Sequence, residues 1–330
     1  MEHQETPDEF ALIAELFAPL AANAPAALGL SDDAALFAPT HGTELVLTAD
    51  AIVEGVHFLA DDPAASIARK LLRVNLSDLA AKGAVPRGYL LVASWRKETP
   101  MAWMRDFAAG LGMDQQEFGI ELWGGDTVVT PGPLTFALTA IGEVPKGEML
   151  RRSGAHSGDH IFVTGTLGDG ALGLLAAKGE LPELSSELKD QLIERYRLPR
   201  PRVSVGTSLR GIASAAMDIS DGLMADLGHL CTASGIGACM EVGSLPLGNA
   251  ASAALNAHPA LLDHVLGGGD DYEILFAAPQ EHTAHIARIS SATGVAIHRI
   301  GLMEASGQGV RALDARGREI SPKHMGYRHF

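Results

Sequence analysis

Positive charge is scarce: 25 Lys and Arg stand against 40 Asp and Glu, a formal net charge of −15 over 330 residues. A surface of that sign repels phosphate backbones and anionic lipid, which excludes nucleic acid and membrane as expected partners. Cysteine is scarcer still, with Cys231 and Cys239 alone, too few for a disulfide framework or a thiolate zinc site. No apolar run has the length needed to cross a bilayer. The opening MEHQETPDEF lacks the basic-then-apolar order of a signal peptide, so the expected compartment is the cytoplasm. The usual phosphate loops are missing too. There is no G-x-x-x-x-G-K-[ST], no G-x-G-x-x-G joining a strand to a helix, and no protein-kinase signature.

What remains is a soluble, globular composition, 47% hydrophobic and 20% charged, long enough for two cores. Apolar periodicity predicts a helix over 9–20, capped by Asp8 or Thr6, then a strand over 44–50 and a helix over 66–83. Further strands follow at 88–95 and 133–144, a helix at 101–117, and a short strand in GIELWGGD that runs into a Gly-Gly-Asp turn. A Pro, Gly and Arg-Arg stretch near 145–165 marks a boundary, giving domains 1–150 and 151–330. The second half alternates helices (168–178, 185–196, 202–211, 220–233) with strands (159–164, 238–242, 272–277, 296–301). Strands mixed with helices in each half indicate two α+β domains.

Aspartate carries the chemistry. Asp32 and Asp33 (LGLSDDAAL), Asp50 (LVLTAD), Asp78 (VNLSDLAA), Asp126 (LWGGDT), Asp218 and Asp221 (MDISDG), and Asp270 and Asp271 (GGGDDYE) end apolar runs or sit in glycine turns. Folds present functional groups at such places. Asp226 adds a third carboxylate after Asp221, and no Lys or Arg lies between Arg210 and the end of AAMDISDGLMADLGHL. Buried like charges need compensation, from elsewhere in the fold or from a metal. Oxygen donors with hydroxyls nearby (Thr48, Ser77, Thr127, Ser220) and no His or Cys cluster suit Mg²⁺, and Mg²⁺ on carboxylates usually also holds phosphates. Singly, each residue has a plainer reading: Ser220 or Asp221 as a helix cap, Asp78 on a solvated helix face, His57 as a turn residue, Arg151 and Arg152 as a solvated linker.

In this order the motifs resemble the thiamine-monophosphate kinase family: FALIAELF, GLSDDAAL, LTADAIVEGVHF, VNLSDLAAKGA, LWGGDT, LRRSGAHSGD, VTGTLGDGALGL, MDISDGLMADLGHL, GGGDDYEILF and GYRHF. The resemblance implies an N-terminal ATP- and magnesium-binding sheet domain that dimerises into a β-barrel, and a C-terminal α+β sandwich domain that completes the nucleotide and substrate site. It makes Asp33, Thr48, Asp50, Asp78, Asp126, Asp218 and Asp221 the magnesium shell, with Asp33, Asp50, Asp78, Asp126 and Asp218 as the catalytic set. Gly125, Asp126, Arg152 and Ser220 would contact ATP, and His57, Asp270 and Tyr327 would face thiamine monophosphate. The implied reaction moves the γ-phosphoryl of ATP directly onto thiamine monophosphate, in a homodimer. Four positions depart from the family's usual residues: Ser31 (Gly), Ala49 (Thr), Lys82 (Met) and Asp270 (Glu). The alternatives are another ATP-dependent member of the superfamily, such as aminoimidazole-ribonucleotide synthetase, or a catalytically silent ATP- and Mg²⁺-binding dimer.

Overall fold

The computed structural model describes residues 8–305 and 309–328, which divide into two compact units. One takes the described residues up to Leu79 with Pro86–Glu143, and the other takes Ala80–Val85 with the described residues from Val144 on. The sequence placed its boundary at 150/151. The structural division falls earlier because Ala80 and Leu150 pack in one apolar cluster with Phe162, Val205 and Phe276.

The first unit runs α1 (Glu9–Leu16), α2 (Ala18–Ala21), β1 (Thr43–Val53), α3 (Ala64–Ala81), β2 (Val85–Arg96), α4 (Met101–Phe118), β3 (Glu121–Thr130) and β4 (Thr135–Pro145). Asp8 caps α1 by accepting the Ala11 N–H at 2.8 Å; Thr6, the other candidate cap, lies outside the described residues. The strands form one sheet in the order β1-β4-β2-β3. On β2, Tyr89, Leu91, Ala93 and Trp95 are buried at alternate positions, and Trp95 meets Phe107 of α4 edge-on at 5.4 Å. The positions between them point the other way, leaving Leu90 and Val92 exposed, as are Leu45 and Leu47 of β1. Arg69 and Arg73 of α3 both pair with the buried Asp114 of α4, at 2.7 and 2.6 Å.

The expected Gly-Gly-Asp turn is instead the middle of β3, which continues parallel to β2 with Gly125 opposite Leu91 and Asp126 opposite Val92. Glycine is required there for a reason other than a turn. Gly125 has φ +155°, and a Cβ on it would lie 1.8 Å from the Leu91 carbonyl oxygen.

The second unit contains β5 (His160–Thr164), α5 (Asp169–Ala177), α6 (Ser186–Arg197), α7 (Val203–Ser208), β6 (Ala215–Asp218), α8 (Leu223–Ser234) and β7 (Gly237–Glu241). It continues with α9 (Asn249–Ala257), α10 (Leu262–Gly267), β8 (Ile274–Ala278), α11 (Thr283–Thr293), β9 (Ile297–Glu304), β10 (Val310–Leu313) and β11 (Glu319–Ile320). A seven-stranded mixed sheet has the order β11-β10-β7-β9-β5-β8-β6. Its central strands are apolar at successive positions because both faces are covered. Val163, Met217 and Leu275 face a core shared with Leu172, Leu227 and Val265, whereas Phe162, Ala216 and Phe276 face one shared with Val205 and Ile286. Among the described residues, no helix is long and apolar enough to cross a membrane.

Candidate active site

In the first unit, β1 places Thr48 and Asp50 half-buried between Val46 and Ile52, which are buried on the same face. Across from them is Asp78. It is the one half-buried position between residues 71 and 80 of α3, all others there being buried, so it does not lie on a solvated helix face. The Thr48 hydroxyl donates to the Asp78 carboxylate, and the Asp50 N–H donates to Asn75 Oδ1 at 3.2 Å. Thr48 and Asp78 therefore meet directly, and Asp50 follows two residues later on the same face of β1.

His57 lies in the turn after β1. Its Nδ1 accepts the Val53 N–H at 3.1 Å, which puts the proton of a neutral ring on Nε2, and Lys70 Nζ donates to its carbonyl at 2.9 Å. Asp33 and Asp126 are exposed; the Asp33 backbone N–H donates to the Asp32 side-chain Oδ1, and Asp126 Oδ1 accepts the Thr127 backbone N–H, both at 2.8 Å.

In the second unit, Asp218 ends the edge strand β6 and is 4% exposed. The edge of β6 is satisfied by Arg151, whose carbonyl accepts the Ala216 N–H at 2.7 Å, and by Lys82, whose Nζ donates to the Ala216 carbonyl at 3.0 Å. Lys82 thus brings a cation to the backbone of this strand from a distant part of the chain, two residues before Asp218. Arg152 is exposed, and its carbonyl accepts from Ser234 Oγ at 3.3 Å.

After β6 the chain makes a four-residue loop, Ile219 to Gly222, before α8 begins at Leu223. Neither Ser220 nor Asp221 caps that helix; its N-cap is Gly222, with no side-chain cap bond. The bonding runs in reverse. Asp226 Oδ2, from the first turns of α8, accepts the N–H groups of Ser220, Asp221 and Gly222, each at 3.1 Å. The loop carbonyls face outward to other segments: Ile219 accepts Tyr272 N–H (2.8 Å), Ser220 accepts Asp270 N–H (3.0 Å) and Asp221 accepts Tyr327 N–H (2.8 Å). Gly222 has φ +125°, and a Cβ on it would stand 2.8 Å from the Gly267 carbonyl carbon.

Burial, aided by the Asp221 carboxylate, pushes Asp226 up to about 7 despite its three N–H donors. Asp271, 1% exposed, accepts Gly168 N–H at 2.8 Å and Gly170 N–H at 3.1 Å, and burial likewise pushes it up to about 7. Next to it, Glu273 is held by Arg202 through both oxygens (2.6 and 2.5 Å), by Arg195 at 2.9 Å and by Thr164 at 2.7 Å. Asp270 and Tyr272 flank Asp271 in left-handed conformations, φ +71° and +50°, which side-chain-bearing residues rarely adopt.

Residues 31–144 match the family model for the AIR synthase related protein N-terminal domain, and residues 156–314 match that for its C-terminal domain. The thiamine-monophosphate kinase of Caulobacter vibrioides is 43% identical over 98% of this chain and 91% of its own. The chain belongs to the thiamine-monophosphate kinase family. The crystal structure of the Stenotrophomonas maltophilia enzyme of that name superposes with a TM-score of 0.83 at 40% identity, covering 92% of this chain and 96% of the other. A second structure, described as AaThiL complexed with AMPPCP and TMP, does so at 0.77 and 30% identity, covering 89% of each chain.

Within this member of the family, the structure brings Thr48, Asp50 and Asp78 together in one unit. In the other it brings Ser220, Asp221, Asp270 and Tyr327 together. Asp226 and Asp271 are visible in the sequence as acidic residues of their motifs, but nothing there assigns either a place in the site. Their partners are backbone N–H groups, which no residue pattern identifies. In the sequence Lys82 stands out only as a departure from the family's usual residue, and no motif marks the Arg195–Arg202–Glu273 group.

Proposed function

We propose that this chain transfers the γ-phosphoryl group of ATP to thiamine monophosphate, giving thiamine diphosphate and ADP. The observation that carries the reading is the loop between β6 and α8, whose carbonyls anchor the backbones of Asp270 and Tyr327 while its side chains include Ser220 and Asp221. End-to-end similarity to thiamine-monophosphate kinases, one of them in complex with AMPPCP and TMP, supports it.

In this reading Asp33, Thr48, Asp50, Asp78, Asp126, Asp218 and Asp221 would hold magnesium. These donors fit a hard cation, since all are oxygens and Thr48 and Asp78 already share a hydrogen bond. When bound, magnesium neutralises and aligns phosphates. Gly125, Asp126, Arg152 and Ser220 contact ATP. The Ser220 N–H is engaged by Asp226, so the serine offers its hydroxyl, while Arg152 offers an exposed guanidinium suited to phosphate oxygens. His57, Asp270 and Tyr327 face the acceptor. A carboxylate and an aromatic face both suit the cationic thiazolium.

The acceptor phosphate is already an anion at neutral pH, so the chain's task is orientation and charge rather than proton removal. Transfer is direct, with no phosphoenzyme. The first unit carries most of the magnesium ligands, His57 and the dimerisation face, and the second carries the loop with Asp270 and Tyr327. The protein acts in the cytoplasm as a homodimer joined through the exposed face of the four-stranded sheet, which closes into a barrel with its copy. The exposed Leu45, Leu47, Leu90, Val92 and Val128 support that assembly.

Purified protein given Mg²⁺-ATP and a panel of phosphorylated acceptors, with products followed by chromatography, tests the reading. Thiamine diphosphate formed in step with ADP is the expected result; ADP formation with another acceptor and none with thiamine monophosphate overturns it.

A further inference from the structure

Every backbone polar group from Ile219 to Gly222 has a partner. Ile219 N–H donates to the Glu273 carbonyl at 2.9 Å, and the Gly222 carbonyl accepts the Asp226 N–H at 3.0 Å. The other six groups form three peptide planes, each linking a carbonyl to the next residue's N–H. One plane joins the Ile219 carbonyl, which holds Tyr272, to the Ser220 N–H. The next joins the Ser220 carbonyl, which holds Asp270, to the Asp221 N–H. The third joins the Asp221 carbonyl, which holds Tyr327, to the Gly222 N–H. The N–H end of all three planes lies on a single atom, Asp226 Oδ2.

We infer that Asp226 is a positioning residue for phosphoryl transfer. By fixing one end of three rigid peptide planes it fixes the opposite ends, and with them the backbones that carry Asp270, Tyr272 and Tyr327. The side chains of Ser220 and Asp221 are oriented by the same planes. A residue near the C-terminus and a loop in left-handed conformation are thereby held in register with the strand that ends in Asp218. Asp226 is 2% exposed, and its three N–H donors offset the cost of burying a carboxylate there. The assignment of catalytic consequences rests on the phosphotransferase reading; the mechanical linkage does not.

Two variants and two measurements test it. Asp226→Ala removes the acceptor, whereas Asp226→Asn keeps an oxygen of the same shape. In metal-free protein, hydrogen exchange resolved to single amides should show Asp270, Tyr272 and Tyr327 exchanging about tenfold faster or more in the alanine variant, and near the wild-type rate in the asparagine variant. In steady-state kinetics the alanine variant should lose roughly 10- to 100-fold in kcat, the range seen when partners that orient metal ligands are removed, with the asparagine variant recovering most of it. Exchange that rises only at residues 220–222, or rises uniformly over the second unit, overturns the linkage. A kcat within twofold of wild type in the alanine variant overturns the positioning role. Wild-type protein without thiamine monophosphate phosphorylation overturns the phosphotransferase reading instead, and the exchange result then stands or falls by itself.

Discussion

Asp218 precedes and Asp221 lies within a loop whose Ser220, Asp221 and Gly222 N–H groups already serve Asp226, so neither carboxylate draws on them for compensation. Lys82 supplies a cation at the Ala216 carbonyl, two residues before Asp218 in β6. If the two aspartates hold magnesium as proposed, Asp218→Asn and Asp221→Asn should each lower turnover roughly 100-fold, the scale of one preorganised electrostatic partner. The metal-free variants should melt no lower than wild type, because one repelling charge is gone; circular dichroism melting and turnover at saturating substrate check both. Asp271 allows a separate test by pH. Its folded pKa is raised to about 7 from an ordinary 3.8, so between those values the native state keeps a proton that the unfolded chain has released. Its contribution therefore falls as pH rises from about 4 to 7 and then levels. Asparagine imitates the protonated acid. The urea midpoint of metal-free Asp271→Asn should drop less between pH 5 and pH 8 than that of wild type, and equal drops would remove Asp271 from the account.

At the scale of elements, β3 and the C-terminal tail differ in what the sequence discloses. Two glycines before an aspartate read as a turn, since that is their commonest use. Here the strand runs through them because it passes too close to Leu91 for any side chain, a tertiary constraint invisible in local pattern. Gly125→Ala should cost about 3 kcal/mol or more by forcing β3 off β2, measurable as a shift in chemical denaturation. Helices over 249–257 and 262–267 escaped notice for another reason: the apolar stripe of the first is built from Ala250, Ala251 and Ala254, and Pro259 interrupts the pattern before the second. The long helices α3 and α4 were legible because their apolar residues are large and regularly spaced. The tail was legible only through GYRHF. Its anchoring includes a backbone bond from the Tyr327 N–H to the Asp221 carbonyl, while the residue remains 51% exposed. An exposed aromatic residue on a fixed backbone suits an acceptor-facing role, so Tyr327→Ala should raise KM for thiamine monophosphate severalfold, for roughly 1 kcal/mol of cation–π and stacking contact, and leave KM for ATP nearly unchanged. Equal rises in both constants would assign the tail to the fold alone.

For the whole molecule, the proposed homodimer raises the question of how an acidic chain would associate specifically with its own copy. A net charge of −15 disfavours contact between copies at long range, so a dimer must form through a surface that is locally apolar and large enough to outweigh that repulsion. The outward face of the four-stranded sheet has that character. Leu47 is 62% exposed, Val92 41% and Val128 42%, and they come from three different strands of one sheet. Leu45 and Leu90 extend the patch, at 41% and 38%. Side chains of this kind on a strand face are ordinarily covered, because the alternation that buries Leu91, Ala93 and Trp95 should leave polar residues opposite them. A charged residue placed in the patch adds desolvation cost to every copy of the interface while leaving the inward face, and hence the unit's own core, untouched. Leu47→Arg and Val92→Lys should therefore each convert a dimer to monomer in sedimentation velocity, with thermal melting monitored alongside to show that the fold persists. Raising the salt concentration should strengthen the wild-type dimer slightly by screening the shared negative charge, whereas an interface held by ion pairs would weaken. A wild-type protein that sediments as a monomer at micromolar concentration, or a Leu47→Arg protein that remains dimeric, would show that this face is covered by something other than a second copy.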